Sequence, residues 1–159
     1  MITIIQRVTQ AKVTVNQNDI GVIQEGIMAL VAVEREDSTR NADRLLERIL
    51  NYRIFADAEG KMNLKLSEIQ GQLLLVPQFT LAANTDKGNR PSFASSASPD
   101  HARELFAYLQ QQALLQLPGC QFGQFGADMQ VSLINNGPVT FTLRAWAAYL
   151  TIEYQSILF

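Results

Sequence analysis

The stretch that most constrains the fold is residues 129–143, in which two strand-like patterns meet at Gly137-Pro138. On both sides of this pair, apolar and polar residues alternate as they do in half-buried β-strands. Proline lacks an N–H group for a sheet ladder, and glycine reaches backbone angles that other residues avoid. We therefore expect regular pairing to break here. The pair is either part of a loop between two strands or a rigid peptide that carries two outward carbonyl groups.

The composition is that of an ordinary globular protein with one domain. Of its 159 residues, 47% are hydrophobic and 18% are charged, so the chain can bury a full core. The lone Cys120 excludes an internal disulfide, and with only one histidine beside it a zinc site built from these ligands is not expected. No apolar run approaches the roughly 20 residues of a membrane span. We therefore expect no metal, no membrane contact and a location in the reducing cytoplasm.

Periodicity elsewhere predicts strands and two amphipathic helices. Apolar and β-branched runs indicate strands at residues 2–8, 11–15, 20–23, 27–33 and 73–76. Helical spacing predicts one helix from an N-cap at Ser38 to about Tyr52 and another from an N-cap at Ser98 to Pro118. The turn-rich residues 54–63 are expected to form a loop. These elements describe an α/β fold, with one compact domain, mixed β-sheets or a partial barrel, and about two main helices.

A candidate site follows the buried run at residues 73–76. The run stops at Pro77, and Gln78, Phe79 and Thr80 come next. At such a strand end we expect the last N–H groups to have lost their ladder partners, which makes them available to a ligand. The end of this strand is therefore expected to form one wall of a site.

Three further features each allow two interpretations. Arg7 interrupts the first strand, where it either faces solvent or holds an acceptor such as a carbonyl group. Lys87 and Arg90 lie on a loop bounded by glycine and proline, which is either a solvated turn or a phosphate contact. His101 lies off the apolar stripe of the second helix, so we expect it to face solvent rather than to act as a base. The net charge of −2 gives no general basic field, so nucleic acid would have to be bound locally.

Three motifs together resemble those of the D-aminoacyl-tRNA deacylases: PQFTL at residues 77–81, KGNRPSF at 87–93 and NNGPVT at 135–140. The likeness begins at the N-terminal strand and extends to about Leu143, so we assign residues 1–144 to a deacylase-like domain and 145–159 to a C-terminal extension. Two features depart from the family pattern. Its first motif usually begins with serine where this chain has Pro77, and the extension runs beyond the family's usual end.

The resemblance implies a hydrolase that removes D-amino acids from mischarged tRNA by cleaving the ester to the 3′-terminal ribose. It implies that Gln78, Phe79 and Thr80 line the aminoacyl pocket, next to Pro77. The family needs no metal or other cofactor, because backbone N–H groups of the first motif and the terminal 2′-hydroxyl of the tRNA are thought to carry the reaction. Preorganised amide groups of this kind supply several kcal/mol.

The resemblance also implies a homodimer with the 3′ end of aminoacyl-tRNA as its ligand. Gly137 and Pro138 match the family's cis Gly-Pro pair, which enters the pocket of the partner subunit and excludes L-side chains. Arg7 matches the residue that steadies that pair. Lys87 and Arg90 are then possible contacts to the tRNA.

Two alternative functions remain open at this point. The same fold serves as an editing domain that clears an L-amino acid from one tRNA in some archaeal threonyl-tRNA synthetases, although the Gly-Pro pair argues against this assignment. A non-catalytic module that binds an RNA end or a protein is the other alternative. Pro77 and the lack of a recognisable acid–base pair favour it.

Overall fold

The computed structural model describes residues 1–146. In it, strand β1 (Ile2–Val15) forms backbone hydrogen bonds with three other strands. Its first half pairs antiparallel with β3 (Gly26–Ala32), and its second half pairs antiparallel with β2 (Asn18–Ile23). Strand β8 (Gln130–Arg144) pairs antiparallel with both halves. The two strands predicted at residues 2–8 and 11–15 are therefore one continuous strand, because β8 bridges the junction between them.

The sheet continues from β3 and curls until its edges nearly meet. Strand β6 (Gln72–Pro77) pairs parallel with β3, and the short β7 (Gln121–Phe122) pairs parallel with β6. A Cβ atom at Gly21 in β2 would lie 2.8 Å from the carbonyl oxygen of Phe122 in β7. Any side chain at position 21 would therefore separate these two strands. The predicted single domain, with a mixed sheet that forms a nearly closed barrel and two main helices, is confirmed.

Both helices begin at the predicted caps. Helix α1 (Thr39–Asn51) follows Ser38, whose N–H group donates to Oδ1 of Asn41 at 2.9 Å. Helix α2 (Pro99–Gln116) follows Ser98, whose Oγ accepts from the N–H group of His101 at 3.3 Å. Their apolar stripes pack on one face of the sheet in the main core, through Ala42, Leu45, Leu46, Ile49, Ala102, Leu105, Phe106 and Leu109. Within residues 1–146, no helix is both long enough and apolar enough to cross a membrane.

The prediction of a loop at residues 54–63 is wrong in part, because this region forms a hairpin of β4 (Phe55–Ala56) and β5 (Met62–Leu64). Asp57 closes the turn of the hairpin. Its Oδ1 accepts from the N–H groups of Glu59 at 3.0 Å and Lys61 at 2.9 Å. Its Oδ2 accepts from Nδ2 of Asn63 at 2.6 Å, and these hydrogen bonds, with that of Asn63 the largest cause, lower the pKa of Asp57. A side-chain hydrogen bond pattern thus turns an exposed segment into paired strands.

His101 is only partly exposed, whereas the sequence predicts that it faces solvent. Its Nε2 lies 2.9 Å from the carbonyl oxygen of Asp37, in a partly buried contact that joins α2 to the segment before α1. The expectation failed because helical periodicity describes only the packing of α2 on the sheet, and this contact lies at the start of the helix. Of the predicted extension at 145–159, residues 147–159 lie outside the described residues.

Candidate functional site

A cavity of ≈ 500 Å³ opens where β3 and β6 end. Its walls come from the end of β3, from residues 76–79, from the first turns of α2, and from residues 125–131. This volume lies within the usual range for small-ligand sites, which are mostly apolar with a few placed polar groups. Of the lining residues in the described part of the chain, only Arg103 carries a charge, and none is Asp, Glu, His, Cys, Lys or Tyr.

Pro77 forms the last rung of β6 and helps to build the wall of the cavity. It pairs with Val31 in the parallel register, and a Cβ atom at Gly123 would lie 3.1 Å from its Cδ. The N–H group of Gln78 still donates to the carbonyl oxygen of Val31 at 2.7 Å. The ladder of β6 therefore extends to Gln78, because the slanted bonds of a parallel ladder reach one residue beyond the strand.

The unbonded amide groups begin one residue later, at Phe79. Residues Phe79–Ala82 form one turn of 3₁₀ helix, and the first N–H groups of such a turn have no acceptor within it. Within residues 1–146, the N–H groups of Phe79 and Thr80 have no backbone or side-chain acceptor. Nε2 of Gln78 donates to Oγ1 of Thr80 at 2.6 Å, which fixes the hydroxyl group. Two neighbouring amide donors at a cavity can bind a carbonyl oxygen or an oxyanion.

Arg103 and Phe125 form the part of the site that sequence reasoning missed. The guanidinium carbon of Arg103 lies 5.3 Å from the centre of the Phe125 ring, within the range of a cation–π contact. Nη1 of Arg103 is also 3.5 Å from Oδ1 of Asp100. No local pattern indicates this contact, because it joins the second helix to the irregular segment that precedes β8.

The lone thiol takes no part in this site. Cys120 is buried, does not line the cavity, and belongs to the main core. Burial raises the pKa of Cys120 to about 12, so the thiol stays protonated and is a poor nucleophile at neutral pH.

Arg7 lies opposite a segment that leaves the sheet. Val8 pairs with Asn135 and Gln6 with Thr140, so the four residues 136–139 stand opposite Arg7 alone. We call residues 136–139 the Gly-Pro segment. Nε of Arg7 donates to the carbonyl oxygen of Asn136 at 2.8 Å, and its Nη1 donates to the carbonyl oxygen of Ile54 at 2.7 Å. Of the two interpretations of Arg7, the structure supports the one in which its side chain binds carbonyl groups.

The Gly-Pro segment is exposed and is held by side chains of the strand. Oδ1 of Asn135 accepts from the N–H group of Val139 at 2.7 Å, which closes the segment at its base. Gly137 has φ +151°, and a Cβ atom there would lie 2.6 Å from Cγ2 of Val139. The peptide bond between Gly137 and Pro138 is cis. Neither residue lines the cavity of its own chain.

Comparison with known proteins identifies the family. A family model described as D-Tyr-tRNA(Tyr) deacylase matches residues 4–144. The chain belongs to this family. A D-aminoacyl-tRNA deacylase of Nitrosococcus oceani is 54% identical over 144 residues, which are 91% of this chain and 93% of that protein. A D-aminoacyl-tRNA deacylase of Haemophilus influenzae is 56% identical over 143 residues, which are 90% of this chain and 99% of that protein.

Solved structures of other proteins share the fold of this chain. One, described as c-Myc DNA Unwinding Element Binding Protein, has a TM-score of 0.88 at 35% identity and covers 92% of this chain and 100% of its own. Another, described as a probable eukaryotic D-amino acid tRNA deacylase, has a TM-score of 0.76 at 17% identity and covers 89% of this chain and 97% of its own. The second likeness shows the fold alone. The predicted family is confirmed.

The structure does not bring all the predicted site residues of this family member together. Pro77, Gln78 and Phe79 line the cavity, and Thr80 follows directly. Lys87 and Arg90 are exposed on residues 85–91, beyond a pair of backbone hydrogen bonds of 2.8 and 3.0 Å between Asn84 and Ser92. Neither basic residue lines the cavity, so any role for them concerns parts of a ligand that lie outside it.

Proposed function

We propose that this chain is a deacylase that hydrolyses the ester joining a D-amino acid to the 3′-terminal ribose of tRNA. The observation that carries the proposal is the pair of amide donors at Phe79 and Thr80, beside a cavity of ≈ 500 Å³, in a member of the D-Tyr-tRNA(Tyr) deacylase family. Such donors fit the ester carbonyl and the negative charge that develops on its oxygen during hydrolysis.

The residues of the first motif bind and polarise the ester. The N–H groups of Phe79 and Thr80 donate to the carbonyl oxygen, and stabilising the oxyanion in this way contributes several kcal/mol. The hydroxyl group of Thr80 accepts a hydrogen bond from Gln78 at 2.6 Å. A hydroxyl group without a neighbouring base is a weak nucleophile, so Thr80 positions the substrate and does not form a covalent bond to it.

The terminal 2′-hydroxyl group of the tRNA assists the attacking water. Among the cavity-lining residues of the described chain, only Arg103 is ionisable, and an arginine stays protonated and cannot act as a general base. The ester sits on the ribose carbon next to the 2′-hydroxyl group. This group is therefore in place to accept a proton from the attacking water while it passes its own proton to the departing 3′-oxygen. The reaction therefore needs neither a metal nor a protein base.

The protein works as a homodimer in the cytoplasm, and each Gly-Pro segment enters the cavity of the other subunit. The segment is exposed, is held by Arg7 and Asn135, and does not line its own cavity, all of which suit a role in a partner's site. Backbone atoms of Gly137 and Pro138 collide with an L-side chain and leave room for a D-side chain. Specificity built on such a clash tolerates many side chains of the accepted enantiomer.

Lys87, Arg90 and Arg103 contact the backbone of the tRNA. Phosphate contacts position a nucleic acid without reading its sequence, and local cations suit a chain whose net charge is −2. Arg103 stands at the cavity, where its guanidinium group packs on Phe125 and is thereby oriented. This arrangement leaves the apolar cavity itself for the aminoacyl group.

The proposal is tested with purified protein, D-Tyr-tRNA and L-Tyr-tRNA. We expect the D-substrate to be deacylated and the L-substrate to remain intact, with EDTA leaving the rate unchanged. Release of L-tyrosine alone would identify an L-specific editing domain. Binding of both substrates without hydrolysis would identify an RNA-end binding module, and a loss of activity with EDTA that zinc or magnesium restores would contradict the metal-free mechanism.

Replacing Pro77 with serine, the residue usual in the family, should change the deacylation rate constant by tenfold or less, about 1.4 kcal/mol of barrier. The amide donors belong to Phe79 and Thr80, so a hydroxyl group at position 77 adds no donor that the reaction needs. The measurement is the single-turnover deacylation rate of D-Tyr-tRNA. If the wild-type protein is inactive and the Pro77→Ser variant is several hundredfold more active, the hydroxyl group is essential.

A further inference from the structure

Two large aromatic side chains lie exposed at the mouth of the cavity. Phe79 is 60% exposed and Phe93 is 40% exposed. Their ring centres are 5.3 Å apart, with 45° between the ring planes. Single exposed apolar residues are common on protein surfaces, but this pair adjoins the cavity, because Phe79 lines it. The pair therefore extends the apolar surface of the cavity outward.

The backbone around Phe93 is fixed on both sides. On one side, Ser92 and Asn84 exchange their backbone hydrogen bonds. On the other, the carbonyl oxygen of Phe93 accepts from the N–H group of Ser96 at 3.0 Å, and Oγ of Ser95 donates to the carbonyl oxygen of Ala82 at 2.7 Å. Phe93 is thus held in place by its own loop and by the end of the 3₁₀ turn that carries Phe79.

We propose that Phe79 and Phe93 form a stacking surface for the unpaired base next to the terminal adenosine of the tRNA. This proposal rests on the proposed function, which places the aminoacyl group in the cavity. The nucleotide before the terminal adenosine then lies outside the cavity, on the side of its mouth. Proteins recognise single-stranded RNA by stacking unpaired bases on aromatic side chains, and each stack is tolerant of sequence because every base has a flat apolar face. Two adjacent exposed rings match that requirement.

The charge of the loop favours the same ligand. Residues 83–97 carry Lys87 and Arg90 against a single acidic residue, Asp86, while the whole chain has a net charge of −2. A local positive charge next to exposed rings is the combination found at grooves for single-stranded nucleic acid. A purely apolar partner would gain nothing from these two cations.

The test compares Phe93→Ala with Phe93→Tyr, which keeps a ring of the same size. On D-Tyr-tRNA, Phe93→Ala should raise KM by roughly tenfold, as expected for the loss of one stacked base. D-tyrosyl-adenosine lacks the preceding nucleotide. On this substrate, Phe93→Ala should leave kcat/KM near the wild-type value. Phe93→Tyr should behave as the wild type on both substrates. Leu115→Ala is the matched control, since Leu115 is an exposed apolar residue on α2 and does not line the cavity.

A binding experiment separates this proposal from the proposed function, because it needs no hydrolysis. A short single-stranded RNA that ends in CCA is titrated with each variant, as is the same RNA without the penultimate base. Phe93→Ala should weaken binding of the intact RNA and leave binding of the abasic RNA at the wild-type value. An equal effect of Phe93→Ala on both RNAs, or equal losses on D-Tyr-tRNA and D-tyrosyl-adenosine, would overturn the stacking surface. An absence of deacylation with the base-dependent binding intact would overturn only the proposed function.

Discussion

D-Tyr-tRNA whose terminal ribose lacks the 2′-hydroxyl group should be deacylated at least about a hundredfold more slowly than normal D-Tyr-tRNA. A positioned group that transfers a proton in the transition state typically contributes a factor of about 100 or more. The cavity offers no lining residue that can supply it, because Arg103 is its only ionisable group within the described residues. The missing hydroxyl group therefore removes a part of the machinery that the protein does not replace.

The measurement is a single-turnover rate at saturating enzyme, so that a change in binding does not enter it. A tRNA that lacks the 2′-hydroxyl group of the penultimate nucleotide is the matched control, and it should react at the normal rate. Equal rates for the terminal 2′-deoxy and normal substrates would contradict substrate assistance. The proton of the attacking water would then have to pass to another group, and the hydroxyl group of Thr80 would be the first one to re-examine as such a relay.

Local signals in the sequence were sufficient for the helices and for much of the sheet. The caps at Ser38 and Ser98 were predictable because a short polar side chain before an apolar stripe has few other structural uses. Residues 27–33 and 73–76 read as buried strands because parallel strands at the centre of a sheet are apolar on both faces. What these patterns could not give is the pairing between strands, since it depends on residues far apart in the chain.

The Gly-Pro segment shows where that limit lies. The sequence correctly marked a break at Gly137-Pro138, but two separate strands and one strand with an excursion have the same local pattern. Pairing with β1 on both sides of the break makes β8 a single strand, and Arg7 then stands opposite the excursion. Likewise, the contact between Arg103 and Phe125 is not encoded by any periodicity. Which amide groups stay unbonded at the end of β6 also depends on pairing, because Gln78 keeps a hydrogen bond to Val31 of the neighbouring strand.

Replacing Arg7 with alanine should raise kcat/KM for L-Tyr-tRNA by roughly tenfold to a hundredfold and so weaken the preference for the D-substrate. Arg7 holds the carbonyl groups of Asn136 and Ile54, and each hydrogen bond from a charged donor contributes about 1.5–3 kcal/mol. Without them the Gly-Pro segment loses its anchor to the β4–β5 region. In the proposed mechanism, a segment free to move aside no longer enforces the clash that rejects the L-side chain.

A matched set of variants separates this role from a general effect on the fold. Arg7→Lys keeps the charge but has no planar fork with which to reach two carbonyl groups, so it should recover only part of the discrimination. Arg44→Ala removes an exposed arginine that pairs with Glu47 on α1, and it should leave the D-to-L ratio unchanged. The decisive quantity is this ratio, measured alongside the unfolding temperature. If Arg7→Ala lowers stability and slows both substrates equally while the ratio stays at the wild-type value, Arg7 only stabilises the fold, and chirality is enforced elsewhere in the site.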